Sequence, residues 1–219
     1  SKARRLMAVR SFYTFLNARE ITRIPVERLK GPKRTHQIDD DKVLSEAEVE
    51  AILKAAEGYY ETWLFIRFLY TTGARIGEVL GDAELKKPAA RWRDFTTTDG
   101  GASWTIRGKG RKRRVVFVPD SIWDAILDRR GEASSIAPIF PRWNHQAVRH
   151  IIRKLAKAAG IARPVSPHCF RHSNISHMLA NGANLAAVRD HAGHSSLEVT
   201  SRYAHADKAA SPVGALRIK

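Results

Sequence analysis

Residues 167–206, PHCFRHSNISHMLANGANLAAVRDHAGHSSLEVTSRYAHA, carry most of the information about the fold of this chain. Three helices are predicted within or just beside this stretch, over 167–181, 184–191 and 196–203. Ser166 and Pro167 are residue types preferred at the cap and first position of a helix. Gly182 and Gly193 stand where the first two helices end, which is the usual place for a glycine.

The remainder is predicted to be helical around a small sheet. Residues 59–71 form a strongly apolar helix that ends near Gly73. Residues 103–107 and 114–118 are β-like, and the basic, glycine-containing segment between them is typical of a hairpin. Further helices are predicted over 4–19, 45–56, 74–80, 120–129 and 144–159. The predicted fold class is therefore mainly α with a small antiparallel β-sheet (α+β).

The chain is strongly basic. Its 219 residues hold 38 Lys+Arg against 22 Asp+Glu, a net charge of +16. Residues 1–36 carry ten of these cations against Glu20 and Glu27, a net of +8, and a second cluster runs from Arg107 to Arg114. Because such a surplus costs self-repulsion, it favours a polyanionic partner over basicity for solubility alone.

Composition excludes several other classes of protein. No run of about 18 apolar residues exists, which excludes a transmembrane helix. The basic N-terminus has no apolar segment behind it, so we expect no secretory signal. A single cysteine, Cys169, excludes a disulfide framework and suits a reducing, cytoplasmic location.

His168 and Arg171 are the first candidates for chemistry. They are three residues apart near a helix N-terminus, so they share a face where the helix dipole favours an anion. Together they suit a phosphate oxygen, but the residues alone leave open a buried structural histidine beside a surface arginine. His168 and His172 also have the i, i+4 spacing of metal ligands. Because no acidic residue lies at ligand spacing and Arg171 would repel a cation, we expect no metal.

Two further patterns suggest charge chemistry. Arg75 follows a glycine turn, and Glu78 lies on the same helical face, where its carboxylate would orient the guanidinium. An ordinary exposed ion pair is the alternative. Tyr203 stands in a polar, basic terminal helix. It is either a surface aromatic residue or a nucleophile. To act as a nucleophile, a phenol needs cations and a proton acceptor close to it.

The motifs follow one another along the chain in a fixed order. They are Thr-Gly-x-Arg-x-x-Glu at Arg75, Gly-Lys-Gly-x-Lys-x-Arg at Lys109, His-x-x-Arg at His168, Gly-His at His194, and Tyr203 nine residues later. In this order they closely resemble the tyrosine recombinase, or phage integrase, family of site-specific DNA recombinases. The resemblance covers about residues 40–207 and implies the fold of that family's catalytic domain.

The resemblance also implies the domain organisation. Residues 1–36 are similar to the closing helix and linker of the family's N-terminal core-binding domain, and residues 37–219 to its catalytic domain. Most helices of the first domain are missing, so we expect either a fragment or a short member. Residues 22–42 are predicted to be an extended linker. Residues 81–90 form a longer connection than the family usually has.

The resemblance implies that Arg75 and Arg171 bind the scissile phosphate, that His194 donates a hydrogen bond to it, and that Glu78 holds the first arginine. Tyr203 would attack the phosphorus and form a 3′-phosphotyrosyl link. Lys109 would protonate the leaving 5′-oxygen, although Lys112 in the same hairpin is a second candidate. His168 would assist proton transfer at the tyrosine. No metal, ATP or other cofactor is expected.

Partners follow from the same resemblance. We expect double-stranded DNA sites bound by a homo-tetramer, a monomer in the absence of DNA, and no membrane. We expect a bacterial or phage-encoded protein that lies in the cytoplasm, in association with the nucleoid. Residues 204–219 are either a docking segment for a neighbouring subunit or a frayed tail. The residues expected to contact DNA are Arg4, Arg5, Arg10, Lys33, Arg34, Arg107, Arg111, Lys112 and Arg113.

Two other functions remain open from the sequence alone. A DNA-binding regulator without catalysis would use the basic clusters and would not need Tyr203. A type IB topoisomerase would share the tyrosine chemistry but would not pair two sites.

Overall fold

The computed structural model describes residues 2–28, 40–84, 86–107, 113–194 and 197–204. Its contacts divide the chain into two compact units, Ser1–Gln37 and Ile38–Lys219. Assignment of residues 1–36 to a core-binding domain stays a prediction. No helix within the described ranges is both long enough and apolar enough to cross a bilayer.

The first unit consists mainly of one helix, α1 (Lys2–Ala18), close to the predicted range of 4–19. Asn17 organises the chain reversal that follows, because its side-chain oxygen accepts hydrogen bonds from the Thr22 hydroxyl (2.7 Å) and the Ile24 N–H (3.2 Å). Short 3₁₀ turns occupy Val26–Arg28 and Asp40–Lys42. The predicted linker, residues 22–42, therefore contains two short turns that sequence periodicity does not reveal, and its residues 29–39 lie outside the described part of the chain.

Helices dominate the second unit, as predicted. Their bounds are α2 (Glu46–Ala55), α3 (Tyr60–Thr72), α4 (Ile76–Val79), α5 (Asp120–Leu127), α6 (His145–Ala158), α7 (Pro167–Ala180), α8 (Leu185–Ala192) and α9 (Leu197–Ala204). The start of α2 carries a capping box: the Ser45 N–H donates to Glu48 Oε2 (2.8 Å), and the Glu48 N–H donates to the Ser45 hydroxyl (3.2 Å).

Three antiparallel strands form the sheet in the order β1 (Phe95–Thr98), β2 (Gly101–Arg107) and β3 (Arg113–Pro119). The last two contain the predicted hairpin, with Trp104 opposite Val116. Strand β1 escapes sequence prediction because it is four residues long and exposed except at Phe95. The connection between β2 and β3, which includes Lys109, lies outside the described residues.

An aromatic core joins the sheet to α3 and α5. Helix α3 is buried over much of its length, and its Phe68 packs against both Trp104 and Phe95. Trp123 of α5 stacks on the Phe95 ring with centroids 5.1 Å apart. A separate, smaller cluster joins α7, α8 and α9 through Ile175, Val188, Ala192 and Tyr203. Helix α7 also reaches the main core through Cys169 and Phe170, whereas the buried apolar residues of α8 and α9 belong to the smaller cluster.

Arg163 fastens the beginning of the second unit to the loop before α7. Its guanidinium makes a two-bond ion pair with Glu48 and also donates to the carbonyls of Asp41 (3.0 Å) and Val43 (3.0 Å). The Leu44 N–H donates to the Ser173 hydroxyl of α7 (2.7 Å). The segment from 41 to 48 is thus fixed to the start of the helix that carries His168 and Arg171.

Gly101 provides a test of the sheet. Its φ is +150°, and a Cβ there would lie 2.0 Å from the Val118 carbonyl oxygen. We expect Gly101→Ala to lower the free energy of unfolding by roughly 3 kcal/mol, because backbone rather than a flexible side chain must move. Gly131→Ala is the control, since its φ is +48° but a Cβ there meets nothing within 4 Å. That control should cost roughly 1 kcal/mol. Equal losses in urea denaturation of the two variants would contradict this account.

Candidate active site

Arg75 follows the tight turn that ends α3. Gly73 closes that helix with a φ of +55°, and a Cβ there would lie 2.3 Å from Asn174 Oδ1, so the turn requires glycine. Arg75 then caps α4, and its backbone N–H donates to Glu78 Oε2 (2.8 Å). Its Nη1 donates to Glu78 Oε1 (3.1 Å), while 43% of the side chain remains accessible. The carboxylate thus orients a guanidinium that still faces solvent.

Glu78 is the centre of a larger ion-pair group. Arg114 of β3 binds it through two parallel bonds of 2.8 Å each, and both side chains are nearly buried. Burial alone would raise the pKa of the Glu78 carboxyl, but the hydrogen bonds and charge of Arg114 and the Arg75 contacts lower it to about 2. Glu78 is therefore not an ordinary exposed ion pair, but a buried carboxylate shared by two arginines.

Arg114 is a site residue that the sequence analysis missed. Its Nε donates to the His191 carbonyl (2.9 Å), which links β3 to the end of α8. A signal was present, because side chains alternate along a strand: Val116 and Val118 are buried, so Arg114 shares their face of β3.

Arg171 lies deeper than Arg75. Its side chain is buried, with Nη1 donating to the Gly73 carbonyl (2.6 Å) and Nη2 to the Ala192 carbonyl. Burial, together with the charges of Arg75 and Arg114, lowers the pKa of Arg171 to about 10, so it stays charged at neutral pH. One guanidinium therefore connects the end of α3, which carries Arg75, to the end of α8, which precedes His194.

The histidines of this region are neutral at physiological pH. Burial lowers the pKa of His194 to about 4, with Arg171, Arg75 and Arg114 adding to the effect. Burial, followed by the charges of Arg114 and Arg171, lowers the pKa of His191, also to about 4. Burial followed by Arg171 lowers the pKa of His168. His194 Nδ1 is 3.0 Å from the hydroxyl of Thr200, which is fully buried.

Tyr203 lies beside these groups with only 7% of its surface exposed. Its hydroxyl is 2.7 Å from Nδ1 of His172, and its ring stacks on His172 and on His194, with centroids 5.8 and 6.1 Å apart. The sequence analysis considered His172 only as a metal ligand. The spacing of His172 and Tyr203 in the sequence could not have revealed this contact, because the contact depends on how α9 packs against α7.

An open cavity of about 1190 Å³ collects most of these side chains. Its lining is mainly cationic and imidazole, from Arg75, Arg107, Arg113, Arg114, Arg149, His168, Arg189, His191 and His194, with Glu78 and Asp82 among the acidic groups. Of these, Arg114, Arg149, Arg189 and His191 were not singled out from the sequence as site residues. The dimensions and charge of the cavity suit a phosphodiester backbone.

The structure places some of the predicted site residues at the cavity and others elsewhere. Arg75, Glu78, His168 and His194 line one cavity. Tyr203 stacks on His194 of that lining, and Arg171 donates to the carbonyl of Ala192, which lies between the lining residues His191 and Gly193 in sequence. Arg107 and Arg113 line it as well. Arg5 and Arg10 lie on α1, which also contains Arg4. Lys33, Arg34, Lys109, Arg111 and Lys112 lie outside the described residues. Within the described ranges, no group of three acidic, histidine or cysteine side chains is arranged to hold a metal.

The shifted histidines predict acid sensitivity. In the folded chain the pKa values of His172, His191 and His194 are about 4, below the ordinary 6.5. Between pH 6.5 and pH 4 the unfolded chain therefore binds up to three more protons than the folded chain. The contribution of these histidines to the free energy of unfolding is fully present above about pH 6.5 and is lost as the pH falls towards 4. Urea denaturation from pH 7 to 5 measures the slope, which His194→Asn should reduce by about one proton. A free energy of unfolding that stays constant over this range would contradict the assignment.

Known proteins are similar to this chain in sequence and in fold. The model of the phage integrase family matches residues 42–210. The tyrosine recombinase XerD of Chlorobaculum tepidum is 33% identical over 228 residues, covering 95% of this chain and 71% of that protein. The crystal structure of XerA recombinase superposes with a TM-score of 0.63 at 27% identity, covering 95% of this chain and 73% of the other.

A third comparison concerns the fold alone. XerH site-specific recombinase, in a pre-cleavage complex with its difH substrate, superposes with a TM-score of 0.63 at 23% identity, over 76% of this chain and 51% of that one. From the match over most of its length, the chain belongs to the phage integrase family and is a tyrosine recombinase, a site-specific enzyme that cleaves and rejoins DNA.

Proposed function

We propose that the scissile phosphate of DNA binds in the cationic cavity and that Tyr203 attacks its phosphorus. The products are a 3′-phosphotyrosyl link and a free 5′-hydroxyl, and attack by a partner strand's 5′-hydroxyl reverses the step. The observation that carries this proposal is the convergence of Arg75, Arg171 and His194 beside a buried tyrosine. The link preserves the phosphodiester energy, so the reaction needs neither ATP nor metal.

Electrostatics supports the assignment of the arginines. Phosphoryl transfer develops charge on the equatorial oxygens, so positioning and preorganised cations supply most of the catalysis. Arg75 offers an accessible guanidinium whose orientation is fixed by Glu78, and two parallel N–H groups match a phosphate better than an ammonium does. Arg171 contributes a buried charge immediately behind the cavity.

His194 is proposed as a hydrogen-bond donor to the phosphate. Its Nδ1 faces the Thr200 hydroxyl at 3.0 Å. When that hydroxyl donates to Nδ1, the neutral imidazole carries its proton on Nε2, which is then the donor available to an anion. Thr200 therefore acts as a positioning residue for His194.

Lys109 is proposed as the acid that protonates the leaving 5′-oxygen, with Lys112 as the second candidate. The support is indirect: Arg107 and Arg113, which border the 108–112 connection in sequence, both line the cavity. His168, in the first turn of α7, lines the same cavity and is proposed as a further contact of the phosphate.

We propose that the enzyme works on paired double-stranded sites as a homo-tetramer and is monomeric without DNA. The charge of residues 1–36 supports a second contact with the DNA backbone, including Arg5 and Arg10 of α1. A cytoplasmic, nucleoid-associated location follows from such a substrate.

Tyr203→Phe tests the nucleophile. Wild-type protein should become covalently attached to a nicked suicide substrate in the absence of Mg²⁺ and ATP, giving a shifted band on a denaturing gel. The variant should give none and should bind DNA normally. Relaxation of supercoiled plasmid without Mg²⁺ serves as the first assay. The matched control is Tyr70→Phe, because the Tyr70 hydroxyl is 2.8 Å from His177 Nδ1 outside the cavity and makes the same kind of bond.

An adduct that persists in Tyr203→Phe would contradict the assignment. Binding without any adduct in the wild type would instead support the non-catalytic regulator. Plasmid relaxation with no exchange between two sites would support the topoisomerase-like alternative.

Thr200→Val tests the positioning of His194. The substitution keeps the shape but removes the hydroxyl, so we expect adduct formation to slow by roughly tenfold. Thr62→Val makes the same exchange at a buried position on α3 and should leave the rate unchanged. An unaltered rate in Thr200→Val, with normal DNA affinity, would show that the hydroxyl has no such role.

A further inference from the structure

His172 is the imidazole that contacts the reacting atom of the proposed nucleophile. Its Nδ1 is 2.7 Å from the Tyr203 hydroxyl, and the two rings are nearly parallel, with an interplanar angle of 28°. His168 lines the cavity instead and lies one turn earlier on the same helix, its ring centroid 6.5 Å from that of His172. The two histidines of α7 therefore occupy different positions relative to the phosphate and the tyrosine.

We propose that His172, rather than His168, accepts the Tyr203 proton during DNA cleavage. This inference rests on the proposed role of Tyr203 as the nucleophile. In the step, the Tyr203 oxygen forms the bond to phosphorus, its proton passes to His172 Nδ1, and the bond from phosphorus to the 5′-oxygen breaks. The leaving oxygen takes a proton from the lysine acid. In rejoining, the imidazolium returns its proton to Tyr203.

The hydrogen bond has the polarity that this step needs. A phenol is the more acidic partner, so its O–H donates to Nδ1, and the neutral ring keeps its own proton on Nε2. Burial lowers the pKa of His172 to about 4, and His168, Arg171 and Lys42 add to the effect, so the ring is unprotonated at neutral pH.

Binding of DNA increases the basicity of this ring. The charged and titratable groups around His172 are His168 and Arg171 on its own helix, Lys42 in the turn before α2, and Tyr203 and His194 towards α9. A phosphate near Arg171 offsets the largest fixed positive charge among them. The pKa of His172 therefore rises when substrate is bound, which favours proton transfer as the tyrosine attacks.

His172→Asn separates proton acceptance from simple holding of the tyrosine. Asparagine can accept a hydrogen bond but cannot take up the proton. We expect the single-turnover rate of adduct formation on the nicked substrate to fall about 100-fold. The wild-type rate should be level from about pH 6.5 to 8.5. The variant's rate should rise about tenfold per pH unit, because the tyrosine must then lose its proton to solvent.

Two further variants complete the test. His177→Asn makes the same exchange in the Tyr70–His177 pair, where His177 lies on the same helix as His172, and it should leave the rate and the pH profile unchanged. His172→Ala should regain activity when free imidazole is added, which a purely structural loss would not allow. Normal DNA affinity and urea midpoint establish that each variant is folded.

The outcomes distinguish the two proposals. A wild-type rate and pH profile in His172→Asn would overturn the inference. So would the appearance of the pH slope in His168→Asn instead, since that would make His168 the acceptor. If Tyr203→Phe still forms an adduct, the failure lies in the proposed function and not in the choice of histidine.

Discussion

The geometry of the site depends on the ion pairs and hydrogen bonds that the buried carboxylate of Glu78 makes. It fixes the first turn of α4, orients Arg75, and holds Arg114 through two bonds of 2.8 Å each. Through Arg114, which also donates to the His191 carbonyl, the sheet is connected to the end of α8. Without this negative charge, two arginines that face the same cavity would repel one another, and Arg114 would be buried unpaired.

Arg171 makes a second set of hydrogen bonds that hold the site together. By donating to the Gly73 and Ala192 carbonyls, it joins the two chain segments that lead to Arg75 and to His194. Tyr203, in contrast, belongs to the small apolar cluster of α7, α8 and α9. The cation site is thus built on elements joined by several hydrogen bonds, whereas the nucleophile lies in the smaller of the two buried apolar clusters.

Sequence patterns predicted much of this arrangement, and the failures have physical causes. A long apolar run located α3, and two β-like segments joined by a basic, glycine-containing stretch located the hairpin. Strand β1 was missed because it is stabilised by its pairing with β2 rather than by its own four residues. The motif order predicted Arg75, His168, Arg171, His194 and Tyr203 as neighbours. Arg114 was missed although strand alternation indicated its inward face. His172 could not be found, because its contact with Tyr203 joins residues 31 apart through helix packing.

The most direct test of the central role of Glu78 is a double-mutant cycle with Arg114, measured as the free energy of unfolding in urea at pH 7. Glu78→Gln, Arg114→Gln and the double variant complete the cycle with the wild type. A buried, two-bond ion pair predicts that each single change costs about 3 kcal/mol or more and that the double variant costs much less than their sum. Effects that add to within about 0.5 kcal/mol would contradict the account.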